Sequence, residues 1–310
     1  MKKILITDAV HPILIEGLRQ RNYEVDYQPE ISYLATKEII QNYTALIVNS
    51  KIKCDEKLFG ETPKVRWIAR LGSGLEVIDK DFCTKNNIHF FNSPEGNRQA
   101  VAEHTLGLLL DLLNNISKAN SEVKQKNWFR EVNRGEELSG KTVGIIGFGN
   151  TGLAFSNLLK GFDCEVLAYD KYRKNYGNDF VKESSLQTIF ELTDVVSIHL
   201  PLTEETTFFC NNNFFNQFKK SIYFINTSRG KIVLQKDLID FVEQKKIRGV
   251  GLDVLENEKL FSYCEEENTL FEKLISFDNV VITPHVAGWT FQSFYKIATT
   301  ILENVDRLND

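Results

Sequence analysis

The stretch Thr142–Asp170, TVGIIGFGNTGLAFSNLLKGFDCEVLAYD, restricts what this chain of 310 residues can fold into more than any other part. A β-branched apolar run, TVGII, leads into Gly147-Phe148-Gly149-Asn150-Thr151-Gly152. A helical pattern then runs through Leu158 and Leu159, and a second apolar strand, EVLAY, ends in Asp170. In such a pattern Gly147 makes the tight turn, Gly149 lets a pyrophosphate approach the backbone, and Gly152 lets helix pack on strand. A helix opening near Thr151 offers unpaired amide N–H groups and the positive end of its dipole to that pyrophosphate. Asp170 stands eighteen residues past Gly152, where a carboxylate accepts hydrogen bonds from ribose hydroxyls and repels a 2′-phosphate. The pattern predicts a dinucleotide-binding βαβ unit that takes NAD over NADP, although Lys171 and Arg173 are nearby cations that would tolerate the phosphate.

The length predicts two domains. From the N-terminus to residue 97, the runs KILIT, EVDYQ, ALIVN, RWIAR and IHFFN alternate with helical patterns, which implies βαβ units and a parallel sheet. No glycine-rich fingerprint accompanies them, so this unit is not expected to hold the cofactor. A second series has six expected strands: TVGII, CEVLAY, VVSIHL, IYFIN, GVGLDV and VVITP. Six strands suit the doubly wound dinucleotide fold. The last segment, TFQSFYKIATTILENVDRLN, reads as one amphipathic helix that packs back onto the first unit. The expected fold class is therefore α/β: a Rossmann-type doubly wound domain (98–287) inserted into a parallel α/β substrate domain (1–97 plus 288–310).

A net charge of −5 and the lack of a basic stripe argue against a nucleic-acid partner. The five cysteines are scattered and show no CxxC spacing, as reduced, mostly buried thiols would. Asp8 and His11-Pro12 interrupt MKKILI before it is long enough for a signal peptide, and LGLLLDLL is too short to span a bilayer. These features predict a cytoplasmic chain with no membrane partner.

Two stretches before Thr142 point to ligands or partners. In RLGSGLEVID, Gly72-Ser73-Gly74 follows a strand and either turns backbone amides outward around an anion or forms an ordinary turn. In FNSPEGNRQAVAEHTLGLLLDLLNNISKAN, Asn97 reads as a cap and the apolar positions from Val101 to Leu113 cover more than one helical stripe. Such a helix must bury more than one face, so it is expected to cross between domains and meet a second subunit. The polar segment after it, with isolated Trp128 and Phe129, suits an arm on a neighbouring chain.

Three strand ends of the second series carry ionisable residues: Arg229 in INTSRG, Asp253 and Glu258 in GLDVLENE, and His285 in VVITPHVAGW. Singly, each reads as a surface or loop residue. Together, at one sheet edge, they imply ligands, because unpaired charges are costly to bury. Reduction of a 2-keto acid needs what they offer. Arg229 supplies a guanidinium fork for the carboxylate. His285 gives the carbonyl oxygen its proton, and Glu258 orients the ring and favours its protonated form. Asp253 is expected at the nicotinamide carboxamide. Leu200, Thr227, Ser228 and Gly288 complete the expected cofactor contacts.

GFGNTG, Asp170, NTSRG, LDVLENE and TPHVAG, in this order, resemble the D-isomer-specific 2-hydroxyacid dehydrogenase family over essentially the whole chain. The resemblance implies the two-domain fold, NAD(H) as cofactor, a homodimer built on the cofactor domains, and an Arg229–Glu258–His285 catalytic set. RLGSGLEVID and NSPEGNRQAVAEH are most similar to the phosphoglycerate dehydrogenase branch, a short form without the regulatory domain. That implies Arg70, Ser73, Gly74 and Asn97 at a substrate such as 3-phosphoglycerate, in the first step of serine biosynthesis. A glyoxylate, hydroxypyruvate or other D-2-hydroxyacid reductase, and a non-catalytic NAD-sensing protein on the same fold, are the alternatives. Leu255 and Lys259 stand where the family usually has Phe and Pro, and LFSYCEEENTLFEKLI has no evident role.

Of the other histidines, His104 and His199 read as buried structural residues and His11 and His89 as surface or strand-end residues. No histidine or cysteine pair has ligand spacing, so no metal is expected. Trp289, just past His285, suits either a roof over the substrate or packing.

Overall fold

The computed structural model describes residues 2–309, which form two compact units. One holds the described residues up to Arg98 and those from Trp289 onward; the other is Gln99–Gly288.

The first unit is built on a five-stranded parallel sheet of β1 (Lys2–Ile6), β2 (Tyr23–Tyr27), β3 (Ala45–Val48), β4 (Trp67–Arg70) and β5 (His89–Phe91), in the order β2-β1-β3-β4-β5. This is the flavodoxin-like order. Ile4, Leu5 and Ile6 and all of β3 are buried, as expected for strands covered on both faces. The C-terminal helix, Phe291–Asn309, lays Ala298, Ile301, Leu302 and Val305 into the core beside Leu14 and Leu18. Arg21 donates from Nε and Nη2 to the two carboxylate oxygens of Asp306, both at 2.5 Å, and fixes the far end of that helix. His11 is a helix cap: its Nδ1 accepts from the Ile13 amide at the start of the helix Pro12–Gln20.

The second unit carries β6 (Thr142–Ile146), β7 (Glu165–Tyr169), β8 (Val181–Glu183), β9 (Val195–Ile198), β10 (Ile222–Asn226), β11 (Ile247–Leu252) and β12 (Val280–Ile282). All pair in parallel, in the order β12-β11-β10-β9-β6-β7-β8. The sheet therefore has seven strands among the described residues, not the expected six. The missed strand, β8, is three residues long with two exposed, too short and too polar for an alternation pattern. Its presence completes a doubly wound order with one strand added beyond β11.

The helix Pro94–Asn114 buries Ala102, Thr105, Leu108, Leu109, Leu112 and Leu113. Leu108 and Leu112 fit over Gly249 and Gly251 of β11, where a Cβ would meet them at 3.2–3.4 Å. Asn97 is not the cap that the sequence suggested: Pro94 opens the helix, and Asn97 lies inside its first turn. Proline suits that opening position because its missing N–H would have no partner there. Among the described residues, no helix is long and apolar enough to cross a membrane, and no group of three or more His, Cys, Asp or Glu could hold a metal ion.

Candidate active site

One row of paired residues crosses the second sheet at its carboxyl edge: Tyr169, Ile146, Ile198, Asn226, Leu252 and Ile282. The residues that follow them are Asp170, Gly147, His199, Thr227, Asp253 and Thr283. In open α/β sheets this edge is where ligands bind. The register thus delivers both the glycine loop and the ionisable set to one rim.

At one part of the rim, Gly147 has φ +94°, and a Cβ there would stand 2.4 Å from the His199 carbonyl oxygen, so only glycine fits. A Cβ on Gly152 would meet the Gly147 carbonyl at 2.2 Å, which presses the helix Asn150–Leu159 onto the loop. Gly149 occupies the N-cap position of that helix and places no side-chain oxygen on its first-turn amides. Asn150, Thr151 and Gly152 form the first turn. Open amides at a positive helix end form a cradle that fits a pyrophosphate. Leu200 packs beside Gly147.

Asp170 closes the cradle. Its Oδ2 accepts from the Phe148 amide at 2.9 Å, and its Oδ1 from the amides of Tyr172 (3.0 Å) and Arg173 (2.9 Å). Partial burial works against its charge, yet these amides and Arg173 hold the carboxyl below the ordinary range. The cations beside it are engaged: Arg173 donates to the Phe148 carbonyl, and Lys171 pairs with Glu205.

At the other part, β10, β11 and β12 end together and bring Arg229, Glu258 and His285 beyond the edge. Asn226, wholly buried, shapes the first loop: its Oδ1 accepts from the Ser228 amide (3.0 Å) and hydroxyl (2.7 Å), and its Nδ2 donates to the Arg229 carbonyl at 2.9 Å. Arg229 Nη1 donates to the Ser228 carbonyl at 2.7 Å. Thr227 Oγ1 lies 2.9 Å from Thr105 Oγ1. His285 Nδ1 stands 2.9 Å from Glu258 Oε2.

His285 has φ +57°, unusual for a residue with a side chain. Asp253 holds it there. The carboxylate is 1% exposed, and it accepts from Thr283 Oγ1 (2.6 Å), the Val286 amide (2.9 Å) and the Ala287 amide (2.8 Å). The Asp253 carbonyl takes the His285 amide at 2.8 Å. His104 Nε2 bonds Thr283 Oγ1 at 2.8 Å. Expected at the cofactor, Asp253 is the buried organiser of the His285 loop. Asn226 and Thr283 escaped sequence reading; a polar residue closing an all-apolar strand was the available signal. Gly288 is half-buried at the end of this loop.

On the first unit, Ser73 Oγ donates to Asn97 Oδ1 at 2.7 Å, Asn92 Nδ2 to the Ser73 carbonyl at 2.5 Å, and the Gly72 amide to Ser93 Oγ at 2.9 Å. The Arg70 guanidinium lies against Gly72, and Gly74 is half-buried in the same loop. Trp289 is exposed, its ring 6.1 Å from that of Phe294. His199 is buried with Nε2 2.8 Å from Ser197 Oγ, and His89 is exposed.

A seven-stranded doubly wound sheet with a glycine cradle and a ribose-side carboxylate on one rim defines a Rossmann-type NAD-binding domain. Residues 106–287 match the family model of the D-isomer specific 2-hydroxyacid dehydrogenase NAD binding domain. The chain belongs to the D-isomer specific 2-hydroxyacid dehydrogenase family. It is 30% identical over 307 residues to a D-3-phosphoglycerate dehydrogenase of Synechocystis sp., covering 98% of this chain and 54% of that protein. It is also 30% identical to a glyoxylate reductase of Pyrococcus furiosus, covering 98% and 91%. Among solved structures, a D-lactate dehydrogenase from Aquifex aeolicus complexed with NAD and lactic acid superposes with a TM-score of 0.84 at 26% identity, covering 99% and 95%. The chain spans about half the length of the phosphoglycerate dehydrogenase it matches.

Proposed function

We propose that the chain is an oxidoreductase that moves hydride between the nicotinamide of NAD and C2 of a small D-2-hydroxy acid, with 3-phosphoglycerate, at the entry to serine biosynthesis, the favoured substrate. One observation carries the chemistry: the Glu258–His285 contact of 2.9 Å beyond the same strand edge that presents Arg229.

Bound NAD(H) supplies or accepts the hydride. The glycine cradle from Gly147 to Gly152 holds its pyrophosphate and Asp170 its ribose; Leu200, Thr227, Ser228 and Gly288 border the rest. Arg229 clamps the substrate carboxylate as a planar fork. Once Nδ1–H is donated to Glu258, Nε2 of His285 is the atom that gives the keto oxygen its proton, or takes it from the hydroxyl in the reverse direction. Glu258 fixes the tautomer and orients the ring.

We assign Arg70, Ser73, Gly74 and Asn97 to the substrate, with the Arg70 guanidinium the reason to favour a phosphorylated acid. The phosphoglycerate dehydrogenase similarity supports this reading. Similarity to the glyoxylate reductase, at the same identity, supports as a second reading an unphosphorylated acid. A homodimer through the NAD-binding domain fits the exposed apolar side chains Ile116, Val123, Trp128, Phe129 and Val132 on one stretch of that unit. Sedimentation of the wild type and of Trp128→Glu measures that assembly directly.

Turnover of phosphohydroxypyruvate, hydroxypyruvate, glyoxylate and pyruvate with NADH and NADPH tests the rest. Preference for the unphosphorylated acids defeats the phosphoglycerate assignment. His285→Ala is expected to lower kcat about 100-fold or more while NADH affinity is kept; unchanged turnover defeats the catalytic assignment, and turnover of none of the acids by the wild type leaves the NAD-sensing alternative.

A further inference from the structure

Glu258 and His285 leave 44% and 47% of their side chains exposed. A pair so open to solvent is worth little by itself, so burial does not enforce its geometry. The backbone that carries Glu258 must.

That backbone is braced by LFSYCEEENTLFEKLI, the stretch without an evident role in the sequence. Asn257 Oδ1 accepts from the Lys259 amide at 3.0 Å and so closes a turn around Glu258. Asn257 Nδ2 donates to Glu267 Oε1 at 2.7 Å, and Tyr263 Oη donates to the Asn257 carbonyl at 2.5 Å. Glu267 Oε2 accepts from the Cys264 amide at 2.8 Å, and with these two donors its carboxyl sits below the ordinary range. The residue before Glu258 is thus held at both its side chain and its carbonyl, and the residue after it at its amide.

The brace is grounded in the body of the unit. Glu267 stands in the first turn of the helix Glu265–Ile275, whose Leu274 is fully buried. Lys273 pairs with Glu243 of the helix Gln235–Glu243 at 2.8 Å. The Tyr263 ring sits edge-on to Phe271 of the helix Glu265–Ile275, 5.7 Å between centroids. A proline after Glu258 would stiffen this loop through its fixed φ. Here Lys259 follows instead, and hydrogen bonds supply the stiffness.

The geometry points to Asn257, Tyr263 and Glu267 as positioning residues that hold the Glu258 carboxylate against His285, an inference that rests on the dehydrogenase reading above. None of the three touches the reacting atoms. They act through the place of one carboxylate, so their loss lowers kcat and leaves cofactor affinity alone.

A donor–acceptor swap tests this. In Asn257→Asp, a carboxylate replaces the amide that faces Glu267, and the two repel. The double variant Asn257→Asp/Glu267→Gln restores every bond, because the new glutamine donates to the new aspartate and still accepts from the Cys264 amide. The single variant is expected to lose about tenfold in kcat with NADH affinity unchanged, and the double to recover to within about twofold of wild type. Tyr263→Phe, which removes one hydroxyl, is expected to lose about threefold. Wild-type kcat in Asn257→Asp, or a double variant no better than the single, overturns the inference.

Amide hydrogen exchange separates this from failure of the dehydrogenase reading. Whatever the turnover, the Lys259 amide is expected to be protected in the wild type and the double variant and to exchange faster in Asn257→Asp. Equal exchange in all three overturns the brace; absent wild-type turnover overturns only the activity.

Discussion

A Cβ on Gly230 would stand 1.8 Å from the carbonyl oxygen of Leu255. The loop that carries Arg229 and the loop that leads to Glu258 therefore touch backbone to backbone, and the spacing between fork and carboxylate is set there. Gly230→Ala must push the loops apart. Overpacking of this kind costs about 1–3 kcal/mol. The expected result is a lowered urea midpoint together with a loss of turnover larger than the loss of NADH affinity, read from denaturation curves, steady-state rates and cofactor fluorescence.

Asp170 accepts from three backbone amides, so it shapes the cradle as well as facing the ribose. Asp170→Asn sets an NH2 group against an amide N–H and is expected to weaken NADH by about tenfold or more. It is not expected to create NADPH use, because Arg173 is held by the Phe148 carbonyl and Lys171 by Glu205. Titration of both cofactors into the variant checks the two halves separately.

Burial pushes the His199 imidazole down from 6.5 to about 3, so the folded protein keeps it neutral where the unfolded chain takes up a proton. A depressed folded value contributes stability that is complete above about pH 6.5 and is lost as pH falls towards 3, by up to about 1.4 kcal/mol per pH unit. Unfolding free energies at pH 7, 6 and 5 should fall in that order, and His199→Asn should flatten the trend.

Cys54, Cys83, Cys164 and Cys210 are buried, and burial raises each thiol above its ordinary value, Cys83 to about 11; Cys264 is exposed. Thiolates react and thiols do not. A native titration with an aromatic disulfide reagent should therefore label one thiol per chain quickly and the remaining four only after denaturant is added.

The glycine spacing, the apolar runs and the charged strand ends were legible because each is a local pattern with a local cause. The row from Tyr169 to Ile282 needed only correct strands to follow. What escaped reading depends on contacts distant in sequence. β8 exists because Val181 pairs with Val166, not because VKE favours a strand. Asn97 resembles a cap, but Pro94 fixes the helix start three residues earlier. Asn257 gains its meaning only from Tyr263 and Glu267, which no periodicity links to it.

The left-handed backbone at His285 costs roughly 1–2 kcal/mol in a residue with a side chain. Asp253 offsets that from beneath, through bonds to the backbone and to Thr283, none of which involves the imidazole. Socket and occupant are thus separate inventions. Selection, or a designer, can exchange the ring for another proton-handling group and change the chemistry without rebuilding the perch. Aspartate, one of the few residues with a side chain at ease with positive φ, is the proton-handling replacement the perch would accept with little strain.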